Sequence, residues 1–285
     1  MRSRSAVVTS CSVMLFSVSV IVLFVTASAP AGAAQAQTGA RAGGPASTAV
    51  DVNGNKFDPH NFSGIYTRTG GDAGFGPARS MPPLTAAGET KLKSVLPVQS
   101  RHPLAKETSP ALSNDPSLAC NPKGFPRLLL DTTPGHYEVI MLPNRMLQLW
   151  QEERRPREIW LDGRSVPSAA SLDALGPAWY GHAVGTWQGE TLVVNTVGLD
   201  DRAWLDSFGF PKSLDARLEE RYKLADPDTL EVTLTLYDAE LYAKPWVSDV
   251  KIWKKEPRQN VTRRGWYGVY GGLPQVMCVP TSLKR

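Results

Sequence analysis

The chain has 285 residues, enough for one large domain or two small ones, with 42% hydrophobic residues, 20% charged residues and a formal net charge of +4. That small basic excess is spread without a cluster, so there is no electrostatic footprint for a nucleic-acid partner. Past residue 27 no apolar run approaches the ~20 residues a membrane-spanning helix needs.

Residues 1–36 differ from the rest. Arg2 and Arg4 precede an apolar run at 13–27, and the small-residue stretch Ala31-Gly32-Ala33-Ala34-Gln35-Ala36 follows. This is the three-part pattern of a cleavable signal peptide, with cleavage after Ala33, Ala34 or Ala36. The apolar run is short for a ~20-residue span and lacks a stop-transfer cluster, which argues against a retained anchor. The expected location is periplasmic or secreted, with no membrane span after cleavage. Residues 37–60 are rich in Gly, Ala, Ser and Thr and read as a flexible linker.

Residues 61–126 form a proline-rich arm that is expected to pack on the main domain. A first strand is expected at 61–66, and a helix from an N-cap at Thr85 to about Val95. Asn114-Asp115-Pro116 predicts a second, single-turn helix running toward Cys120, because proline suits the first helical position.

From Arg127 to residue 285 the hydrophobic period becomes two. Strands are expected at 137–142, 146–152 and 157–161, separated by turn residues such as Pro143-Asn144 and Asp162-Gly163. The clearest hairpin runs 182–187 and 190–197 around Gln188-Gly189. Pairing Trp187 with Glu190 sets His182 opposite Asn195, and puts Ala183, Gly185, Trp187, Leu192 and Val194 on the other face. A second hairpin joins 217–224 to 229–237, where Leu230, Val232, Leu234 and Leu236 alternate with polar residues. A further strand is expected at 247–253. Sequential strands with short turns predict an all-β, mainly antiparallel fold, a lipocalin-like β-barrel meander, with a sandwich as the alternative.

Cys120 and Cys278 are expected to form one disulfide in an oxidising compartment, closing a loop of more than 150 residues. Two free thiols or a metal pair are the alternatives, and no CxxC or nearby His spacing supports metal.

His182 is the first catalytic candidate, an imidazole at a strand end that can exchange protons near neutral pH. Its structural reading is a ring satisfied by Asn195 or a backbone carbonyl. Asp206 is a candidate partner for His182, with capping or an arginine pair as the plainer role. In Glu220-Arg221 only one side chain can face an interior, since adjacent strand residues point to opposite faces. An inward arginine could hold a ligand carboxylate; at the rim it would be structural. Trp160, Trp179, Trp187, Trp204 and Trp246 suit either an aromatic pocket or a core. Asn195, Arg221, Trp187 and Trp204 are the candidate ligand-binding residues.

Several motifs occur together in chain order. They are Asn114-Asp115-Pro116 with Cys120, Pro122, Gly124, Pro126 and Arg127; Asp162-Gly163-Arg164; and Gly181-His182 with Gly185, Trp187 and 189–194. Trp204-Leu205-Asp206, Glu220-Arg221, 228–232 and Lys244-Pro245-Trp246 complete the set. In this the chain resembles an uncharacterised family of exported bacterial proteins, over nearly half its length. The resemblance implies export and no particular activity. The family pattern usually has Ser at Ala183, Asp at Glu190 and His at Lys212. Any family chemistry resting on that second histidine would not carry over.

There is no HExxH, no GxSxG and no nucleotide-binding glycine loop, so no metal and no cofactor is implied. Three functional readings are open. The first is a periplasmic barrel binding a small, partly apolar molecule in its interior. The second is a cofactor-free hydrolase, lyase or isomerase with His182 as base, Asp206 or Glu220 orienting it and Arg221 binding substrate. The third is an envelope interaction protein without a pocket.

Overall fold

The computed structural model describes residues 49–77, 80–131, 136–150, 153 and 155–257, and Cys278. The chain divides into two units, Met1–Pro45 and Ala46–Arg285. The expected signal peptide and the linker up to residue 48 lie outside the described residues, and the described fold is that of the second unit.

Ten strands are present: β1 (Gly64–Gly70), β2 (His136–Leu142), β3 (Arg145–Trp150), β4 (Arg157–Trp160), β5 (His182–Gln188), β6 (Thr191–Val197), β7 (Arg217–Asp226), β8 (Thr229–Tyr237), β9 (Trp246–Val247) and β10 (Lys251–Lys255). They pair in the order β10-β1-β2-β3-β4-β5-β6-β7-β8, and β10 also pairs with β8. The sheet therefore closes into a nine-stranded barrel, with β9 as a short addition on β8. Closure leaves those nine strands without a free edge. The all-β barrel is as the alternation predicted.

One pairing departs from a meander. β4 and β5 run parallel, with Ile159 beside Ala183 and Trp160 beside Val184. A parallel neighbour cannot be reached by a tight turn. The chain crosses over through residues 161–181, which include helix α3 (Ala169–Leu175), N-capped by the Ser168 side chain.

The barrel also begins earlier than the sequence suggested. β1 bridges β10 and β2, so the arm contributes a wall strand and the boundary at residue 127 does not hold. Residues 49–60 are ordered against the barrel as well: Val50 bridges Lys56, and Asp51 meets Lys255 at 3.1 Å. A linker reading over 49–60 is corrected by these contacts. Further along the arm, α1 (Ala86–Lys93) carries its expected cap, with Thr85 Oγ1 accepting from Gly88 N at 3.0 Å. The Asp115 side chain caps a single 3₁₀ turn, Pro116–Ala119, as expected. A short helix not foreseen, α2 (Arg127–Leu130), comes next. It buries Arg127, whose guanidinium donates to both Asp115 oxygens at 2.8 and 2.7 Å. Cys120 and Cys278 form the disulfide.

The barrel is filled. Tyr66, Tyr137, Tyr222 and Phe62 have no surface that water can touch. Tyr137 stacks on Trp150 at 4.4 Å and meets Trp253 edge-on at 4.6 Å. Beside this aromatic plug lies a buried polar network. The Arg157 guanidinium donates to Glu220 Oε1 and Oε2 at 2.7 and 2.9 Å, to Thr196 Oγ1 at 2.8 Å and to Gln148 Oε1 at 3.0 Å. The Tyr222 hydroxyl donates to Glu220 Oε2 at 2.6 Å, and the guanidinium lies 3.5 Å over the Phe125 ring. Two buried charges are tolerable because they pair with each other and both Arg157 Nη atoms find acceptors, although Arg157 Nε is buried without one. A ligand in the middle of the barrel, the arrangement first expected, would have to displace this network.

Candidate functional site

Alternation sends Arg157 and Ile159 of β4 inward and leaves Glu158 and Trp160 on the outside. On β5, Ala183 and Gly185 face in, while His182 and Val184 face out. The crossover therefore passes over the outer side of the β4–β5 pair. A cleft of about 610 Å³ lies between them, lined by Glu158, Trp160, His182 and Val184 from the strands and by Arg164, Trp179 and Tyr180 from the crossover. Arg155 and Leu175 also line it. Its size is that of a small-molecule site.

Local chemistry shapes each wall. Gly163 takes a φ of +82°, and Arg164 N donates back to Asp162 Oδ1 at 3.3 Å, the turn that Asp162-Gly163-Arg164 predicts. The turn brings the Arg164 guanidinium 3.8 Å over the Trp160 ring while it donates to Asp162 at 2.6 to 3.0 Å. That bond to Arg164 holds the Asp162 carboxyl below its usual range. Trp179 carries Arg202 at 4.7 Å. The Tyr180 hydroxyl donates to Glu153, and burial together with that carboxylate pushes its pKa up. Arg155 is exposed, forms no ion pair among the described residues, and lies close enough for its charge to act on the Tyr180 hydroxyl. The cleft thus offers aromatic planes braced by arginines and one uncommitted cation.

The candidates read from sequence do not gather here. His182 does line the cleft, yet its pairing differs from expectation. Gln188 pairs with Thr191, so the turn is Gly189-Glu190, and His182 lies opposite Val197 while Asn195 lies opposite Val184. The expected register is displaced by one residue on each strand; the division into two faces is unchanged. Gly189 at φ +61° is the turn residue that fixes this register. Asn195 accepts from Arg217 Nη1 at 2.7 Å instead of serving His182. His182 Nε2 is buried without a hydrogen-bond partner.

Glu220 points into the barrel and is held by Arg157, so it does not orient His182. Arg221 points outward to Glu219 at 3.1 Å and Gln188 at 2.9 Å, so it is not an interior ligand clamp. Asp206 is buried elsewhere, accepting from Phe208 N at 2.9 Å and Phe75 N at 3.3 Å. Burial raises its pKa to about 6 despite those donors. No hydrogen bond or ion pair joins His182 to Asp206 or Glu220 among the described residues. Trp187 packs under the N-terminal segment, 4.6 Å from His60 and 5.2 Å from Phe62. Trp204 is buried near Arg127 at 5.8 Å, and Trp246 is core. Of the five tryptophans singled out, Trp160 and Trp179 alone line the cleft.

Lys212, where the resembling family usually has histidine, is fully buried and donates to the Ala203 carbonyl. Among the described residues no group of three or more His, Cys, Asp or Glu side chains is placed to hold a metal ion. No helix among them is long and apolar enough to cross a membrane. No protein-family model, curated protein or solved structure matches this chain.

Proposed function

We propose that this is an exported protein that binds a small, partly apolar molecule, and that the molecule occupies the outer cleft over β4 and β5. The observation that carries the reading is the juxtaposition of Trp160, Trp179, Tyr180 and His182 around about 610 Å³, with Arg155 uncommitted at the margin. Flat aromatic walls reward a planar apolar ligand, and a free guanidinium rewards a carboxylate or phosphate on it. An aromatic acid combines both. The binding reading is favoured over catalysis because both acids proposed to assist His182 are engaged elsewhere. Export rests on the leader-like residues 1–36, and the Cys120–Cys278 bond accords with an oxidising compartment.

The test is a thermal-shift screen of the protein against aromatic carboxylates and their neutral amide analogues. Binding to the folded state alone raises the melting temperature with ligand concentration. Acids should stabilise the protein more than amides, and the stabilisation should vanish in Trp160→Ala and weaken in Arg155→Ala. Stabilisation that survives both substitutions would place the ligand elsewhere. If no compound shifts the protein, the envelope interaction role moves ahead.

A further inference from the structure

A second cleft, of about 480 Å³, has different chemistry. It lies between the segment at 51–63 and the outer side of β1 and β2, with Pro227 of the β7–β8 turn and Lys255 at its border. Most of its charged lining groups are committed. Asp51 and Lys255 pair with each other at 3.1 Å, and both are nearly buried. Glu256 accepts from Thr67 Oγ1 at 2.7 Å. Asp58 accepts from His60 N at 2.9 Å.

Glu138 and Lys56 are the exceptions, and Lys56 is exposed and exerts no charge effect on Glu138, which burial alone perturbs. Tyr137 and Val139 enter the core, so the side chain between them faces the cleft. Its cross-strand neighbours are Ile65 on β1 and Leu149 on β3, both apolar. Phe57 and Ile140 line the same cleft. Among the described residues Glu138 makes no hydrogen bond and no ion pair, and burial raises its pKa with no partner opposing it. A partly buried carboxylate beside apolar side chains and without a counter-ion is an arrangement that a cation would favour. A hydrated metal ion would need several oxygen ligands, and among the described residues no group of three or more His, Cys, Asp or Glu side chains is placed to supply them.

We propose that this cleft binds a small organic cation, an amine or guanidine with an apolar body, and that Glu138 is its counter-ion. The apolar body rests on Ile65, Ile140 and Phe57. The site is separate from the Trp160 cleft and stands or falls without it.

Isothermal titration of the full chain with benzylammonium chloride, and with benzyl alcohol as the uncharged analogue, tests it. Benzylammonium should bind, with benzyl alcohol weaker by about tenfold or more. Glu138→Gln should lose a similar factor for benzylammonium while its melting temperature stays at or above that of the parent. Trp160→Ala should bind benzylammonium as the parent does. Absence of benzylammonium binding, equal binding of the alcohol, or undiminished binding by a folded Glu138→Gln protein would each overturn the proposal.

Discussion

Lys212 is the residue whose environment most opposes its usual state. Its ammonium has no exposed surface and the Ala203 carbonyl as hydrogen-bond acceptor. Burial lowers its pKa from 10.5 to about 7, against the opposing pull of Asp200 and Asp201. In the unfolded chain it titrates near 10.5. Above that pH both states are neutral and the residue costs nothing by charge. Below about pH 7 both are charged, and the folded state bears the full penalty of a buried ammonium. Between the two values the unfolded state holds more protons, so stability rises with pH, by up to ~1.4 kcal/mol per unit. Asp206, raised to about 6, acts with the opposite slope: from about pH 4 to 6 the folded state holds more protons, and stability falls as pH rises. Urea denaturation across pH 6 to about 10 should show the Lys212 slope in the parent protein and lose it in Lys212→Met. A parent slope that Lys212→Met leaves intact would assign it to another group. The sequence alone could mark position 212 as a departure from the resembling family, but not its burial. A lysine reads as surface until long-range contacts close over it, and those come from segments such as 200–206 that have no periodic signal.

At the scale of elements, the parts written in local chemistry were legible and the parts that depend on partners were not. Alternation located β2 to β8 within a few residues, and Thr85 and Asp115 marked their helix starts. The two faces of the β5–β6 hairpin were separable because side chains alternate; the register was not, since one displaced residue on each strand leaves every face unchanged. The parallel β4–β5 pair was hidden for a related reason. β4 has four residues, and α3 buries none of its residues, so the crossover carries no apolar period to announce a helix. The Trp160 cleft, which that crossover creates, was hidden with it. α1 offers a sharp contest between local and tertiary preference. Gly88 sits inside the helix, where alanine is better by about 1 kcal/mol. A Cβ there would lie 2.1 Å from the Leu241 carbonyl oxygen, a backbone atom with little freedom to retreat. Close packing should therefore win, and Gly88→Ala is expected to destabilise the protein by about 1–3 kcal/mol in chemical denaturation. A stabilised variant would mean that α1 can slide away from the 238–242 segment.

The whole molecule is held by closure at two levels. Hydrogen bonding closes the sheet when β10 joins β8 to β1, which ties the arm to the end of the barrel sequence. A covalent bond then ties Cys120 to Cys278, 158 residues apart, and its loop contains β2 to β10. Closing so long a loop restricts the unfolded chain more than a short one would, and the chain-entropy estimate is about 5 kcal/mol. The native state loses little when the bond is cut, because the barrel pairings and the Arg157–Glu220 network do not pass through the sulfurs. Cutting it should thus act on the unfolded side. The Cys120→Ser/Cys278→Ser protein should keep the parent's far-ultraviolet spectrum and lose stability by as much as about 5 kcal/mol. Its denaturant slope should rise, because a chain without the cross-link unfolds to a more expanded state. A reducing agent should bring the parent to the same midpoint and leave the double variant unmoved. If instead the variant lost its β spectrum, the bond would be a condition of folding; an unchanged midpoint would show that the unfolded chain is already compact enough to hold the two cysteines near each other.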